Sequence, residues 1–251
     1  MNTKRDFVVC AHFRTTLLAG AAAACLLAVG FAGAASAAVY DVTADFGGTM
    51  FQYGSGVAGT SFTAFSNHTA CYTGLDCYNN VGEPIVVKNN NATAFNFSTL
   101  SIPAGTVDFH PGPAGSGDDA IIRFVAPTAG LYTISGFFAR NDLTASGDGT
   151  LASVYATIGG LATSLFSTTL AANSYGSPTG FIGLTAALGI GDTVDFTLNN
   201  GSGYVFDSTG VGATLSVGTG VPEPATWALV TGGFGLMGAA LRRRRWQAVA
   251  A

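Results

Sequence analysis

Cys71 and Cys77, with five residues between them, are the pair best placed for covalent chemistry. Cys10 and Cys25 fall in the first 37 residues, which read as a removable leader, so an exported chain keeps only this pair. In an oxidising compartment an isolated close pair is expected to form a disulfide. Closing so short a loop contributes about 2–3 kcal/mol on the chain-entropy estimate. The bridge is expected to pin a surface loop that exposes Tyr72 and Tyr78. Zinc held with His68 is the alternative, but a fourth ligand at metal spacing is missing. A glycosidase would need two carboxylates with separated pKa values. Between the chain ends stands one Glu, Glu83, ahead of Pro84, while Asp118, Asp119, Asp192 and Asp195 lie beside turns, where Asp serves the backbone. His68 and His110, the latter before Pro111, are the only histidines outside the leader. No nucleophile elbow, zinc-protease helix or phosphate loop occurs, so an enzyme is not expected. Asp118, Asp119, Asp142, Asp148, Asp192, Asp195 and Asp207 offer hard oxygen ligands for a structural calcium; solvated turn aspartates are the alternative reading, and no EF-hand spacing is present. No other cofactor is expected.

Composition limits what can position these residues. Of 251 residues 48% are apolar, only 10% charged, and 35 are Gly. That is charge-poor and glycine-rich against an ordinary domain at about 25% charged and 7% Gly. With 18 Phe, 8 Tyr and 2 Trp the chain can build a core. Residues 38–221 carry three basic and twelve acidic residues, a net charge of −9. Such a body repels nucleic acid and anionic lipid and favours neutral or cationic partners.

The basic residues mark the ends. Lys4, Arg5 and Arg14 precede an apolar run that closes on Ala35-Ser36-Ala37. A basic start, an apolar stretch and a small-x-small site are the elements of a secretory signal, expected here to be a helix cut after Ala37. Near the other end, the apolar residues 225–241 lead directly into Arg242, Arg243, Arg244 and Arg245. Seventeen residues is short for a span of about 20, and arginine snorkelling extends it. A single transmembrane helix is expected there, bracketed by Trp227 and Trp246, with the arginines cytoplasmic and the body outside.

Pro222-Glu223-Pro224, then Trp227-Ala228, a Gly-rich apolar span and the arginine block stand in the order of a known signal. This segment resembles the PEP-CTERM sorting signal in its PEPxxWA form. The resemblance implies a Gram-negative bacterium and a membrane-embedded exosortase-type protease that recognises the motif. It further implies an inner-membrane-anchored precursor, then release to the cell surface or extracellular matrix, with frequent association with exopolysaccharide and biofilm. The organisation expected is therefore a signal peptide over residues 1–37, one domain over 38–220 and a sorting segment over 221–246.

The central domain alternates with period two. Ala120, Ile122 and Phe124 form one face; so do Tyr132, Ile134 and Phe138; Ala152, Val154, Ala156 and Ile158; Val194, Phe196 and Leu198; and Val211, Ala213, Leu215 and Val217. Such alternation describes strands with one buried face. Gly, Asn and Asp clusters between them predict turns, and the whole reads as an all-β, jelly-roll-like β-sandwich. Residues 41–107 read more weakly, with loops expected at Gly54–Gly59 and over Lys88-Asn89-Asn90-Asn91.

Phe124-Val125-Ala126-Pro127, Gly130-Leu131-Tyr132-Thr133-Ile134, Gly191-Asp192-Thr193-Val194-Asp195-Phe196 and Phe206-Asp207-Ser208-Thr209-Gly210 are similar to markers of galactose-binding-like and carbohydrate-binding modules of anchored bacterial proteins. Each is also ordinary strand-and-turn chemistry. If sugar binds, Tyr155, Tyr175, Tyr204, Asn141 and Asp142 are the expected contacts, on position beside the loops alone. A carbohydrate-associated surface protein is the expectation, a purely structural matrix protein or adhesin the alternative, and a secreted hydrolase the weakest reading.

Overall fold

A computed structural model describes residues 37–113, 118–218 and 231–238. Its strands are β1 (Ala38–Asp41), β2 (Phe51–Gly56), β3 (Thr63–Ala64), β4 (Asn67–Tyr72), β5 (Leu75–Asn79), β6 (Ile85–Asn89), β7 (Phe95–Phe97) and β8 (Leu100–Ile102). There follow β9 (Val107–His110), β10 (Asp119–Val125), β11 (Gly130–Arg140), β12 (Thr150–Ile158), β13 (Leu161–Leu170), β14 (Thr179–Leu188), β15 (Thr193–Asn199) and β16 (Thr209–Val217).

Two antiparallel sheets face each other. One has eight strands in the order β14-β11-β16-β9-β6-β5-β4, with β1 pairing β16; the other has six, β13-β12-β15-β10-β2-β3. The chain changes sheet at nearly every step from β10 to β16, as jelly-roll connections do. The five alternating segments of the sequence are β10, β11, β12, β15 and β16, and their apolar faces meet between the sheets. Phe124, Tyr132, Ile134, Phe138, Val154, Phe196 and Leu215 lie in this core, all fully buried. Ile158 departs from its set and is partly exposed at the end of β12. The fold is the β-sandwich that the alternation predicts.

The weaker half corrects two expectations. Gly54 and Gly56 are not loop residues but belong to β2, because the Phe62 ring packs on Gly54 where a Cβ would come within 2.6 Å of it. Lys88 and Asn89 close β6 rather than opening a loop; Asn89 Nδ2 donates to Ile102 O at 2.9 Å and so holds the strand end in place.

The larger sheet is covered outside over part of its width. The β7–β8 hairpin lies on the β5–β6 side of the larger sheet, where Leu75, Cys77, Val87 and Ile102 form a second apolar cluster. Across β11, β14 and β16 the outer face of that sheet stays open.

Of the expected transmembrane helix only residues 231–238 are described, and they are helical. Among the described residues no helix is long and apolar enough to cross a membrane. The signal peptide, the sorting motif Pro222, Glu223, Pro224, Trp227 and Ala228, and Arg242 to Arg245 lie outside the described residues.

Candidate binding groove and the loop end of the sandwich

The loops after β9, β11, β13 and β15 converge on one end of the sandwich: Asn200 Nδ2 donates to Gly112 O at 3.1 Å, and Ser202 N to Asp148 Oδ2 at 2.6 Å. Asn141 and Asp142 are here, but they face inward. Asn141 Nδ2 donates to Asp108 Oδ1 at 2.7 Å, and Asp142 accepts from Thr99 Oγ1 at 3.2 Å and from Ser208 N at 2.9 Å. Both residues are buried, and they tie the β7–β8 hairpin to the start of β16.

Beside them Arg140 is buried with Asp207. Arg140 Nη2 donates to Ser146 O at 3.0 Å, while Nη1 stands 4.0 Å from Asp207 Oδ1. Arg140 Nε and Nη1, Thr150 Oγ1 and both Asp207 oxygens have no hydrogen-bond partner among the described residues. Burial pushes Asp207 up to about 7, opposed first by the neighbouring Thr150 hydroxyl and then by Arg140, and helped by the Asp148 charge. Asp108, fully enclosed, is raised to about 8 by burial, against the lowering effect of its Asn141 hydrogen bond.

The tyrosines do not assemble into one site. Tyr175 is exposed, and Tyr204 meets His110 edge-on with centroids 6.0 Å apart. Tyr155 lies elsewhere, on the outer face of the six-stranded sheet beside Gly59, opposite Asp195 in register.

Five of the aspartates singled out as oxygen ligands, Asp119, Asp142, Asp148, Asp192 and Asp195, have partners within the fold. Asp119 accepts from Ala58 N and Asn199 Nδ2, and Asp192 from Gly159 N and Gly189 N. Asp195 holds Arg123 in a two-bond contact at 2.7 and 2.8 Å, and the same guanidinium lies 4.1 Å from the Phe62 ring centre. Backbone N–H donors hold the Asp148 and Asp192 carboxyls below the usual range. No group of three or more metal-ligating side chains is gathered among the described residues.

Cys71 and Cys77 are disulfide-bonded, with Cα atoms 5.8 Å apart. The bridge staples the β4–β5 hairpin rather than a loop, since both cysteines sit in paired strands. Tyr72 is exposed as expected, but Tyr78 is not free. It stacks between His68 (4.0 Å) and Tyr53 (4.3 Å) and packs on the main core. His68 Nε2 pairs with Asp76 Oδ1 at 2.7 Å, not with the sulfurs.

An open groove of about 770 Å³ lies where β9 gives way to β1 along β16. Its polar groups include Asp41, Thr106, Ser135 and Thr214, and its aromatic is Phe137. Phe137 points out of the sheet because Phe138 points in, and it stands between Gly212 of β16 and Gly180 of β14. The ring lies over Gly212, where a Cβ would come within 2.6 Å of it, and 39% of the residue stays exposed. Asp41 Oδ1 accepts from Thr43 N and Ala44 N, both at 2.8 Å, leaving Oδ2 without a hydrogen-bond partner among the described residues. Lys88 Nζ donates to Thr43 O at 2.7 Å and walls one side. Phe137 was not among the expected contacts. The adjacent pair Phe137-Phe138 was the available signal, because successive strand residues face opposite ways.

No curated protein matches the chain. Solved structures to which it is similar include CBM51 from Clostridium perfringens GH95 in complex with methyl-galactose, at 10% identity and a TM-score of 0.36, covering 71% of this chain and 99% of that one. CBM35 from Paenibacillus barcinonensis aligns at 12% identity and a TM-score of 0.28, over 72% of this chain and 99% of that one. The CBM36-1 domain of a multidomain xylanase from the hindgut metagenome of Trinervitermes trinervoides aligns at 16% and 0.27, over 54% and 98%. Residues 220–245 match the PEP-CTERM protein-sorting motif, which implies an exported chain processed at the membrane by an exosortase.

Proposed function

We propose that the sandwich is a non-catalytic module that holds neutral polysaccharide at the cell surface or in the extracellular matrix, with the groove over β11 and β16 as its binding surface. The observation that carries this reading is Phe137 resting on a glycine floor among outward hydroxyls. An apolar sugar face would stack on the ring. Its hydroxyls would bond Ser135, Thr106, Thr214 and the free oxygen of Asp41. The acidic body disfavours an anionic chain, which selects neutral sugars. The sorting motif supports the setting, since it delivers the body outside the cell, where exopolysaccharide and biofilm matrix are the carbohydrate at hand.

A shallow open site of this kind binds with millimolar to micromolar affinity, about 4–8 kcal/mol. Calorimetric titration of the purified protein with the producing cell's exopolysaccharide and with simple glycans tests it, with and without Ca²⁺. Saturable binding lost in Phe137→Ala is the expected result. Absence of binding up to millimolar sugar favours a structural matrix role, and turnover of any glycan refutes both.

A further inference from the structure

From Gly149 to Gly191 the chain has no Asp, Glu, Lys, Arg or His. This stretch contains β12, β13 and β14. β13 is the last strand of the six-stranded sheet and β14 the last of the eight-stranded one, each ten residues long. They lie on the same flank: Phe166 of β13 and Phe181 of β14 close the core between them with ring centres 5.3 Å apart. No described strand pairs with the other side of either. Both therefore present backbone donors and acceptors, interrupted by one bulge in each strand, that another extended strand can satisfy on either side of the bulge. Neither strand carries lysine, proline or an inward charge, and the one blocking device each has is a single bulge, at Leu165 in β13 and at Ile182-Gly183 in β14. The flank instead exposes apolar side chains, Leu161 at 78% and Ile182 at 89%.

We infer that this flank pairs with the same flank of a second copy of this chain. Three observations select that occupant. First, a body of net charge −9 repels its own copies, and the flank is where two copies can meet without bringing carboxylates together. A strongly charged partner gains nothing from it. Second, a twofold axis normal to the sheets places β13 antiparallel to its symmetry mate and β14 likewise, so both sheets continue across one self-complementary contact. Third, the area suffices: ten-residue strands are about 33 Å long and the sheets about 10 Å apart. With its side chains the flank then offers on the order of 600–700 Å² per copy, at the lower limit of standard stable interfaces. This pairing is independent of sugar in the groove.

Sedimentation equilibrium of the full-length protein in density-matched detergent reads it. The wild type is expected to show a concentration-dependent monomer–dimer equilibrium that tightens as salt screens the acidic bodies. Leu161→Lys with Ile182→Lys should weaken it by at least about tenfold, as edge lysines do. Val81→Lys, at an exposed apolar position in the β5–β6 connection, adds charge elsewhere and should leave the equilibrium unchanged. Circular dichroism confirms that the variants are folded. A wild type that stays monomeric at about 1 mM contradicts the inference, whatever the variants do. So does a double variant that dimerises like the wild type, or a loss equal in Val81→Lys.

Discussion

At the loop end of the sandwich polar side chains turn inward and bond one another; on the outer face of the larger sheet hydroxyls and one aromatic ring turn outward over bare glycine. Asn141, Asp108 and Asp142 are joined by short internal hydrogen bonds or by neighbouring charge, and Arg140 and Asp207 share an enclosed space. The Phe137 ring faces open volume, and the groove hydroxyls are only partly engaged: Ser135 Oγ accepts from Gly183 N at 3.0 Å and keeps its proton to donate, while Thr106 Oγ1 donates to Pro103 O at 2.8 Å and keeps its lone pairs to accept. The difference teaches that polar residues near loops indicate a site only where they keep bonding capacity that faces solvent. On the proposed reading the loop end serves stability, and the groove is the surface that offers groups to a ligand.

Substitutions separate these roles, the largest effect being at the loop end. Arg140→Met removes the cation from a buried pair and should destabilise the protein by about 3–5 kcal/mol in urea unfolding above about pH 8, where Asp207 is ionised and is left enclosed without a counter-charge. Sugar affinity of the molecules that remain folded should be unchanged. A retained midpoint would show that the pair contributes little.

Replacing Cys71 and Cys77 with Ser should lower stability by about 2–3 kcal/mol, since the bridge closes a short loop in the unfolded chain. Mass spectrometry without reductant should find the two linked, and free thiols with bound zinc would contradict the assignment. This feature was fully legible in the sequence, because two isolated cysteines close together leave few options.

Other features were legible only in part. β10, β11, β12, β15 and β16 announce themselves because one face is buried and the other is not, which imprints period two. β13 and β14 went unread, for as edge strands they expose residues of both parities, as Leu161-Ala162-Thr163-Ser164 does. β2 was masked by Gly54 and Gly56, which are needed for the Phe62 ring to approach the backbone. Asn141 and Asp142 have loop composition, yet they are buried, since their hydrogen bonds are made to residues distant in sequence such as Asp108 and Thr99. The groove depends on register: Phe137 faces Gly212 at a chain separation of 75 positions, and no local pattern shows it.

Acidity should distinguish the regions next. Asp108 and Asp207 have folded-state values of about 8 and about 7, above the 3.8 of an unperturbed carboxyl. The folded protein holds protons that the unfolded chain has released, so their contribution to stability is full below about pH 4 and declines as pH rises through 7 to 8. The lowered carboxyls of Asp148 and Asp192 act in the opposite sense, losing their contribution in strong acid. Urea midpoints between pH 5 and 9 should fall, and Asp108→Asn should flatten the fall. A profile that rises over this range would contradict the placement of the two buried acids.

The smallest effect expected is at Tyr175, which is exposed at the loop end and does not line the groove. Tyr175→Ala should change sugar affinity by less than about twofold, on the order of 0.4 kcal/mol. Gly212→Ala should do more without touching any hydroxyl, because its methyl group displaces the Phe137 ring.

The most direct test is titration of one neutral polysaccharide into the wild type, Phe137→Ala and Tyr175→Ala proteins side by side. A binding surface on the sheet predicts a loss of about tenfold or more, roughly 1.4 kcal/mol, for Phe137→Ala and almost none for Tyr175→Ala. Equal binding by wild type and Phe137→Ala, with the loss at Tyr175 instead, would contradict it and return the site to the loop end.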